Sequence, residues 1–292
     1  MSSWIILSLV AAVFSAFFNL ATKQVSNNEK LNEYSVAWLR AVAALPILWI
    51  ALLQNGLPVI DNSFWPLLLL MVPLEIACTV LYFKAVKISP LSLITPVSSL
   101  NILCIAIGAY FILGEELTVV HGVALLLFVL GIYVLNFDFT VSKNLLYPFA
   151  KLTKEKGVLL ILLFCVIVGI NVPIQKMAIL YSSPQFFAAV YFSIAAIPLT
   201  FLFVTKGKAK FQDILASSKS ILIMGLFYGL YIFVGTKAVS AGNVTFVTVI
   251  SSLSILLTIL LSGALFKEKG ILKHFIAGLI MVAGAALVAL NP

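Results

Sequence analysis

The sequence predicts an all-α integral membrane fold of ten transmembrane helices arranged as two inverted five-helix repeats. Three observations lead there. Apolar residues make up 63% of the 292-residue chain and charged residues only 10%, with a mean hydropathy of +1.18, outside the balance of a water-soluble domain. Long apolar runs recur from residue 3 to residue 290, whereas a secretory signal is a single run followed by a polar chain. Rare polar residues of the first half reappear in the second at a nearly constant spacing.

A membrane helix needs about 20 largely apolar residues. Breaks in the apolar pattern give spans near 3–22, 34–53, 64–83, 90–111, 119–137, 157–176, 182–204, 220–238, 243–265 and 273–290. The separations at 138–156 and 205–219 are rich in lysine and too short for a further domain. The implied organisation is a first repeat over 1–138, a lysine-rich cytoplasmic linker over 139–156 and a second repeat over 157–292.

The repeat is read from residues that are uncommon in apolar sequence. Asn19 matches Asn171 and Pro46 matches Pro198, both at an offset of 152 (171 − 19, 198 − 46). After one residue of drift, Lys84-Ala85-Val86 matches Lys237-Ala238-Val239, Ser98-Ser99-Leu100 matches Ser251-Ser252-Leu253, Glu115 matches Glu268 and His121 matches His274, all at 153. Five spans per repeat is an odd number, so equivalent helices run in opposite directions across the bilayer. The lysines agree: the breaks after spans 1, 3, 5, 7 and 9 contain or adjoin most of them, and the opposite side has only Lys176 and Lys237 near span ends. By the positive-inside rule the odd-numbered breaks are cytoplasmic and both termini are non-cytoplasmic.

Several functions are excluded by this pattern. Net charge +8 would suggest nucleic acid in a soluble protein, but here the lysines sit in the breaks between spans, so no nucleic-acid partner is expected. Cys78, Cys104 and Cys165 lie in apolar stretches without CxxC spacing, which gives neither a disulfide framework nor a metal site. No HExxH, P-loop, GxSxG or Ser/His/Asp constellation is present. The chain is therefore not expected to be an enzyme, and no cofactor is expected.

Five stretches now share a family pattern: Leu81-Tyr82-Phe83-Lys84-Ala85-Val86, Ser89-Pro90-Leu91 through Pro96, Leu113-Gly114-Glu115-Glu116, Gly235-Thr236-Lys237-Ala238-Val239 and Phe266-Lys267-Glu268-Lys269. In these, and in its paired five-helix halves, the chain resembles the EamA-like branch of the drug/metabolite transporter (DMT) superfamily along essentially its whole length. The resemblance implies a carrier fold and transport of amino acids, drugs, purines, sugars or related metabolites. It also implies a multi-pass protein of a prokaryotic cytoplasmic (inner) membrane. Two complete repeats need no partner to complete the fold, so a monomer or homodimer in the lipid bilayer is expected.

Inverted repeats give a carrier two nearly equivalent packings with the substrate near the midplane, so polar residues deep in spans are the candidates. Glu75 is the foremost, about eleven residues into span 3, where an ionisable group is costly and marks a pathway, a proton site or an internal partner such as Arg40. Its repeat equivalent is Tyr228 (228 − 75 = 153). Asn19 and Asn171 form an equivalent pair in spans 1 and 6, with Asn101 in span 4 and Gln175 nearby in sequence register. Thr248 and Ser251 share a polar stripe in span 9, which can line a cavity or satisfy neighbouring helices. Trp38, Tyr82, Tyr228 and Tyr231 lie deep enough to form an aromatic cage around an ammonium group. Arg40 is near enough to its span end to snorkel, as an anchor or a gate. Pro73, Pro96 and Pro173 each remove a helical hydrogen bond and can kink a span. Gly225 and Gly229 present a small-xxx-small face, and Glu115 is expected to stabilise the entrance to span 5. The leading functional expectation is export of an amino acid or related metabolite by alternating access, with proton coupling. The alternative is uptake or facilitated passage of an organic cation such as choline, held by Glu75 and the deep aromatics.

Overall fold

Hydrocarbon offers backbone amides no hydrogen-bond partners, so an apolar chain of this kind satisfies them within helices. The computed structural model describes residues 2–26, 31–89, 97–98, 100–136, 155–207, 209, 211–266 and 271–291. Within these, the helices are α1 (Ser3–Ser26), α2 (Glu33–Asn55), α3 (Phe64–Ile88), α4 (Asn101–Leu113), α5 (Val119–Asn136), α6 (Lys156–Leu180), α7 (Pro184–Lys206), α8 (Phe211–Ala216), α9 (Ser218–Ala241), α10 (Val244–Ser251), α11 (Ser254–Phe266) and α12 (Ile271–Leu290). Among the described residues six helices are long and apolar enough to cross a membrane, and four shorter apolar helices fall in the remaining expected spans. The chain is thus an all-α multi-spanning bundle. Side chains such as Leu53, Leu69, Phe111, Phe201 and Leu222 point outward, which suits a lipid surface. Residues 137–154, which include most of the expected 139–156 linker, lie outside the described residues.

The chain divides into two units. Unit 1 comprises Met1–Val72, Met177–Gly242 and Ile250–Phe266. In it α1 packs on α9 and α11, and α2 packs on α7 and α9. Its core joins Phe18, Ala21, Val25 and Leu39 to Ile221 and Met224. Gly225 and Gly229 allow the closest approach: a Cβ on Gly225 would lie 2.6 Å from the Ala43 carbonyl oxygen, and one on Gly229 would lie 3.2 Å from that of Ala44. The α2–α7 seam is fixed at two heights by indole donors, Trp38 Nε1 to Thr200 Oγ1 at 2.9 Å and Trp49 Nε1 to Ser193 Oγ at 3.0 Å. At the chain ends of these helices, the Asp61 amide donates to the Tyr181 carbonyl at 2.9 Å and Asn32 Nδ2 to the Lys206 carbonyl at 2.7 Å. Asp61 also accepts from the Ser63 amide at 2.7 Å, and this hydrogen bonding holds its carboxyl below the usual carboxylate range.

Unit 2 comprises Pro73–Lys176, Asn243–Val249 and Lys267–Pro292. Its α5 and α12 run antiparallel with a reciprocal seam. A Cβ on Gly131 would meet the Ala277 carbonyl oxygen at 3.0 Å and the Met281 nitrogen at 2.9 Å; one on Gly284 would meet the Ala124 carbonyl oxygen at 2.7 Å and the Phe128 nitrogen at 2.9 Å. Each residue in the second contact is the first shifted by 153: 284 − 131, 277 − 124 and 281 − 128. Each helix therefore meets the other with the same surface, as in a two-fold contact.

The fourth and ninth spans differ from the continuous helices expected. Two turn residues, Ser252 and Leu253, separate α10 from α11, and α4 begins only at Asn101 after Leu100. The bonding around both breaks is the same at an offset of 153. Leu100 N–H donates to Val97 O and Leu253 N–H to Ile250 O, both at 3.1 Å; Cys104 N–H donates to Leu100 O at 3.1 Å and Leu257 N–H to Leu253 O at 3.0 Å. Serines compete with helical hydrogen bonding through their own side chains, and a Ser-Ser-Leu segment stands at each break.

Candidate functional site

Polar groups inside the spans gather at two centres, one in each unit. In unit 2, Glu75 stands eleven residues into α3, about 16 Å along the helix at 1.5 Å per residue. Pro73, just before it, is exposed and withdraws one backbone donor from the helix. Facing Glu75 from α6 is Asn171, only 2% exposed, whose Nδ2 donates to Glu75 Oε2 at 3.2 Å. The Asn171 Oδ1 is buried and has no hydrogen-bond partner, so an acceptor stands ready in a setting where orphaned polar atoms are unfavourable. Pro173 lies two residues on and is buried. Its missing N–H would have served the Gly169 carbonyl, and Gly108 of α4 packs so closely on that carbonyl that a Cβ would overlap it. The two glycines let α4 and α6 approach beside Asn171. Cys78 and Cys165 are buried in the same unit, with Cys165 Sγ 3.9 Å from Val97 O and 3.8 Å from Ser98 O. Gln175 follows Asn171 by one turn of α6 and is half-buried.

At the end of α6, Lys176 Nζ meets Glu115 Oε1 at 2.6 Å with side chains 14% and 10% exposed. Gly114, at φ 66°, ends α4 in the left-handed region that glycine tolerates. Both Glu115 carboxylate oxygens accept from the Val244 amide, at 3.0 and 3.1 Å. Glu115 therefore caps the start of α10, in span 9, and not the entrance to span 5. That entrance is held by His121, whose Nδ1 accepts from the Thr118 amide at 3.1 Å while Nε2–H donates to the Asn291 carbonyl. The Lys176–Glu115 pair was not foreseen. Its signal was Lys176 itself, a lysine at a span end on the lysine-poor side.

In unit 1 the guanidinium carbon of Arg40 lies 5.1 Å from the centroid of the Tyr228 ring. Tyr228 is ten residues into α9, about 15 Å along that helix, so the guanidinium expected as an anchor or a gate rests on a ring carried by a neighbouring helix. Around that ring stand Phe18 at 4.6 Å, Phe192 at 6.2 Å and Tyr231 at 6.3 Å between centroids. Arg40 Nε is buried without a hydrogen-bond partner. Asn19 is occupied nearby in sequence, its Nδ2 donating to Thr258 Oγ1 of α11 at 3.3 Å.

The remaining candidates fall elsewhere. Trp38 stacks on Phe203 at 4.2 Å and is committed to the α2–α7 seam. Tyr82, 40% exposed, leans on Phe164 in unit 2. Of the aromatic residues foreseen as a cage, Tyr228 and Tyr231 stack on each other, and the cation over Tyr228 is the protein's own Arg40. Asn101 opens α4, Thr248 bonds back to the Val244 carbonyl at 2.8 Å, and Ser251 is the last residue of α10 before the break. Pro96 and the side chain of His274 lie outside the described residues.

Apolar helices that expose apolar surface while holding Glu75, Asn171 and Arg40 within them define a multi-spanning membrane protein with polar centres at membrane depth, as solute carriers have. The model of the EamA-like transporter family matches residues 2–137 and again 155–290, and the chain belongs to that family. It is a membrane transporter of small solutes in the DMT superfamily and not an enzyme. A solved crystal structure of a protein is 19% identical with a TM-score of 0.79, covering 100% of this chain and 99% of that one; similarity at this level establishes a shared fold. No curated protein matches the sequence.

Proposed function

We propose that this transporter is a secondary carrier that exports an amino acid or related small metabolite by alternating access, driven by protons, with Glu75 as the coupling group. The observation that carries this reading is the Glu75–Asn171 pair. A carboxylate midway along α3 is bonded to a fully buried amide whose own acceptor has no partner. Such a group is costly at that depth, and ionisable groups retained there mark proton and solute pathways as well as internal pairs. An acceptor pair of this kind suits an N–H donor such as an ammonium, or the added proton itself.

The scaffold is read as ten spans in two inverted repeats, 1–138 and 157–292, joined by the 139–156 linker. The reciprocal α5–α12 seam supports this, as does the family model matching once in each half. Contacts between chain breaks also agree within each unit. Breaks 2–3 and 6–7 meet through Asp61 and Tyr181, and breaks 1–2 and 7–8 through Asn32 and Lys206. Lys176, Glu115 and Val244 join breaks 6–7, 4–5 and 8–9. Every such contact links even to even or odd to odd, as alternate crossing of a bilayer requires. The lysine bias then favours non-cytoplasmic termini in a prokaryotic inner membrane.

The test uses the purified full chain in liposomes loaded with a labelled amino-acid panel. Wild type is expected to show saturable exchange and faster flux under an imposed proton gradient. Glu75→Gln is expected to keep exchange and lose the gradient effect. An unchanged gradient effect in that variant overturns the coupling role. Loss of exchange together with tight choline binding by wild type favours the organic-cation carrier instead.

A further inference from the structure

We propose that Arg40, seated on the Tyr228 ring, is the receptor for a carboxylate on the transported solute; this rests on the carrier reading above and narrows its substrate class. The chain uses lysine seventeen times and arginine once, and that one arginine stands inside a span, seven residues into α2. Charge alone does not account for the choice, because a lysine supplies the same charge. A guanidinium adds a flat face that stacks on an aromatic ring and a planar edge of N–H donors that matches a carboxylate in two parallel bonds.

Both halves of that description have a counterpart in unit 1. The face is provided for, with the Tyr228 ring 5.1 Å from the guanidinium carbon. Phe192 meets the same ring edge-on, at 88° and 6.2 Å, and Phe192 is the repeat equivalent of Arg40 (192 − 40 = 152). The edge is open at one donor: Nε is buried without an acceptor, and Arg40 makes no ion pair among the described residues. A cation–π contact does nothing for in-plane donors. A permanently charged, partly desolvated group with an orphaned donor calls for an anionic acceptor, and one that arrives and leaves is a solute. The asymmetry of the repeats agrees, since the position equivalent to Glu75 is Tyr228. One repeat places an anion where the other places a ring bearing a cation.

The sole arginine makes the test direct. Full-length protein in detergent is treated with phenylglyoxal, which modifies arginine, and adduct on the Arg40 peptide is followed by mass spectrometry. Benzoate and benzamide, alike in shape and different in charge, serve as probes. Benzoate is expected to slow modification at least about tenfold and benzamide less than about twofold, since a paired guanidinium is shielded at its edge. Equal protection, or none, from the two probes overturns the proposal. In parallel, benzoate is expected to raise the apparent melting temperature of wild type. Arg40→Lys, which keeps the charge, is expected to bind benzoate at least about tenfold more weakly. Equal stabilisation of both proteins, or no benzoate effect on wild type, also overturns it. Persistent amino-acid exchange in liposomes alongside such a failure rejects the carboxylate receptor and leaves the carrier standing; absent exchange rejects the carrier itself.

Discussion

Removal of the Lys176 ammonium should destabilise the protein far more than loss of a surface charge. Exposed ion pairs contribute about 0–1 kcal/mol, whereas breaking a buried pair costs about 3–5 kcal/mol because one charge is left behind. At 14% and 10% exposure the Lys176–Glu115 pair lies close to the buried limit. The Val244 amide still donates to Glu115 after Lys176 is gone, and a hydrogen bond to a charged group retains part of the loss. Lys176→Met is therefore expected to cost about 2–3 kcal/mol, a fall of about 3–5 °C in melting temperature for a chain of this size. The assay is thermal unfolding in detergent micelles for wild type, Lys176→Met, Glu115→Gln and the double variant. Removing both charges should recover at least half of the Lys176→Met loss, because no anion then remains in the low-dielectric site. A single variant within about 0.5 kcal/mol of wild type, or losses that add within about 0.5 kcal/mol, refutes the reasoning.

Two further outcomes follow from the packing and the topology. Gly131→Val and Gly284→Val should each cost about 1–3 kcal/mol in the same unfolding assay, since the added carbons meet backbone atoms that cannot swing away; a tolerated substitution at either position would deny the reciprocal seam. In protein freed of Cys78, Cys104 and Cys165 by alanine, Asn62→Cys should react with an impermeant maleimide on intact cells and Gln212→Cys should not. The reverse pattern would invert the lysine-based orientation.

The sequence disclosed most where rarity made a residue informative. Asn19, Asn171, Glu115 and His121 stand out in apolar sequence, so their spacing exposed the repeat, and Glu75 declared itself by its depth. Its partner was not legible in the same way. The Glu75–Asn171 bond joins α3 to α6, and span-to-span pairing depends on how faces of similar apolar helices meet, which periodicity leaves degenerate. The breaks at Leu100 and Ser252–Leu253 were hidden because serine is tolerated within membrane helices as readily as between them. The ring under Arg40 was hidden for a related reason. A long arginine stem can reach many neighbours, and only the packing of α2 on α9 brings Tyr228 within reach.

The α5–α12 seam also sets an order of events during synthesis. The start of α12 follows the end of α5 by 271 − 136 = 135 residues, about 7–30 s of translation at ordinary rates. For that interval the groove at Gly131 faces lipid or another helix in place of Met281. The nascent first half thus waits with an unfilled notch shaped for a helix not yet made, and a ribosome stalled before α12 would leave behind an inserted bundle that cannot close.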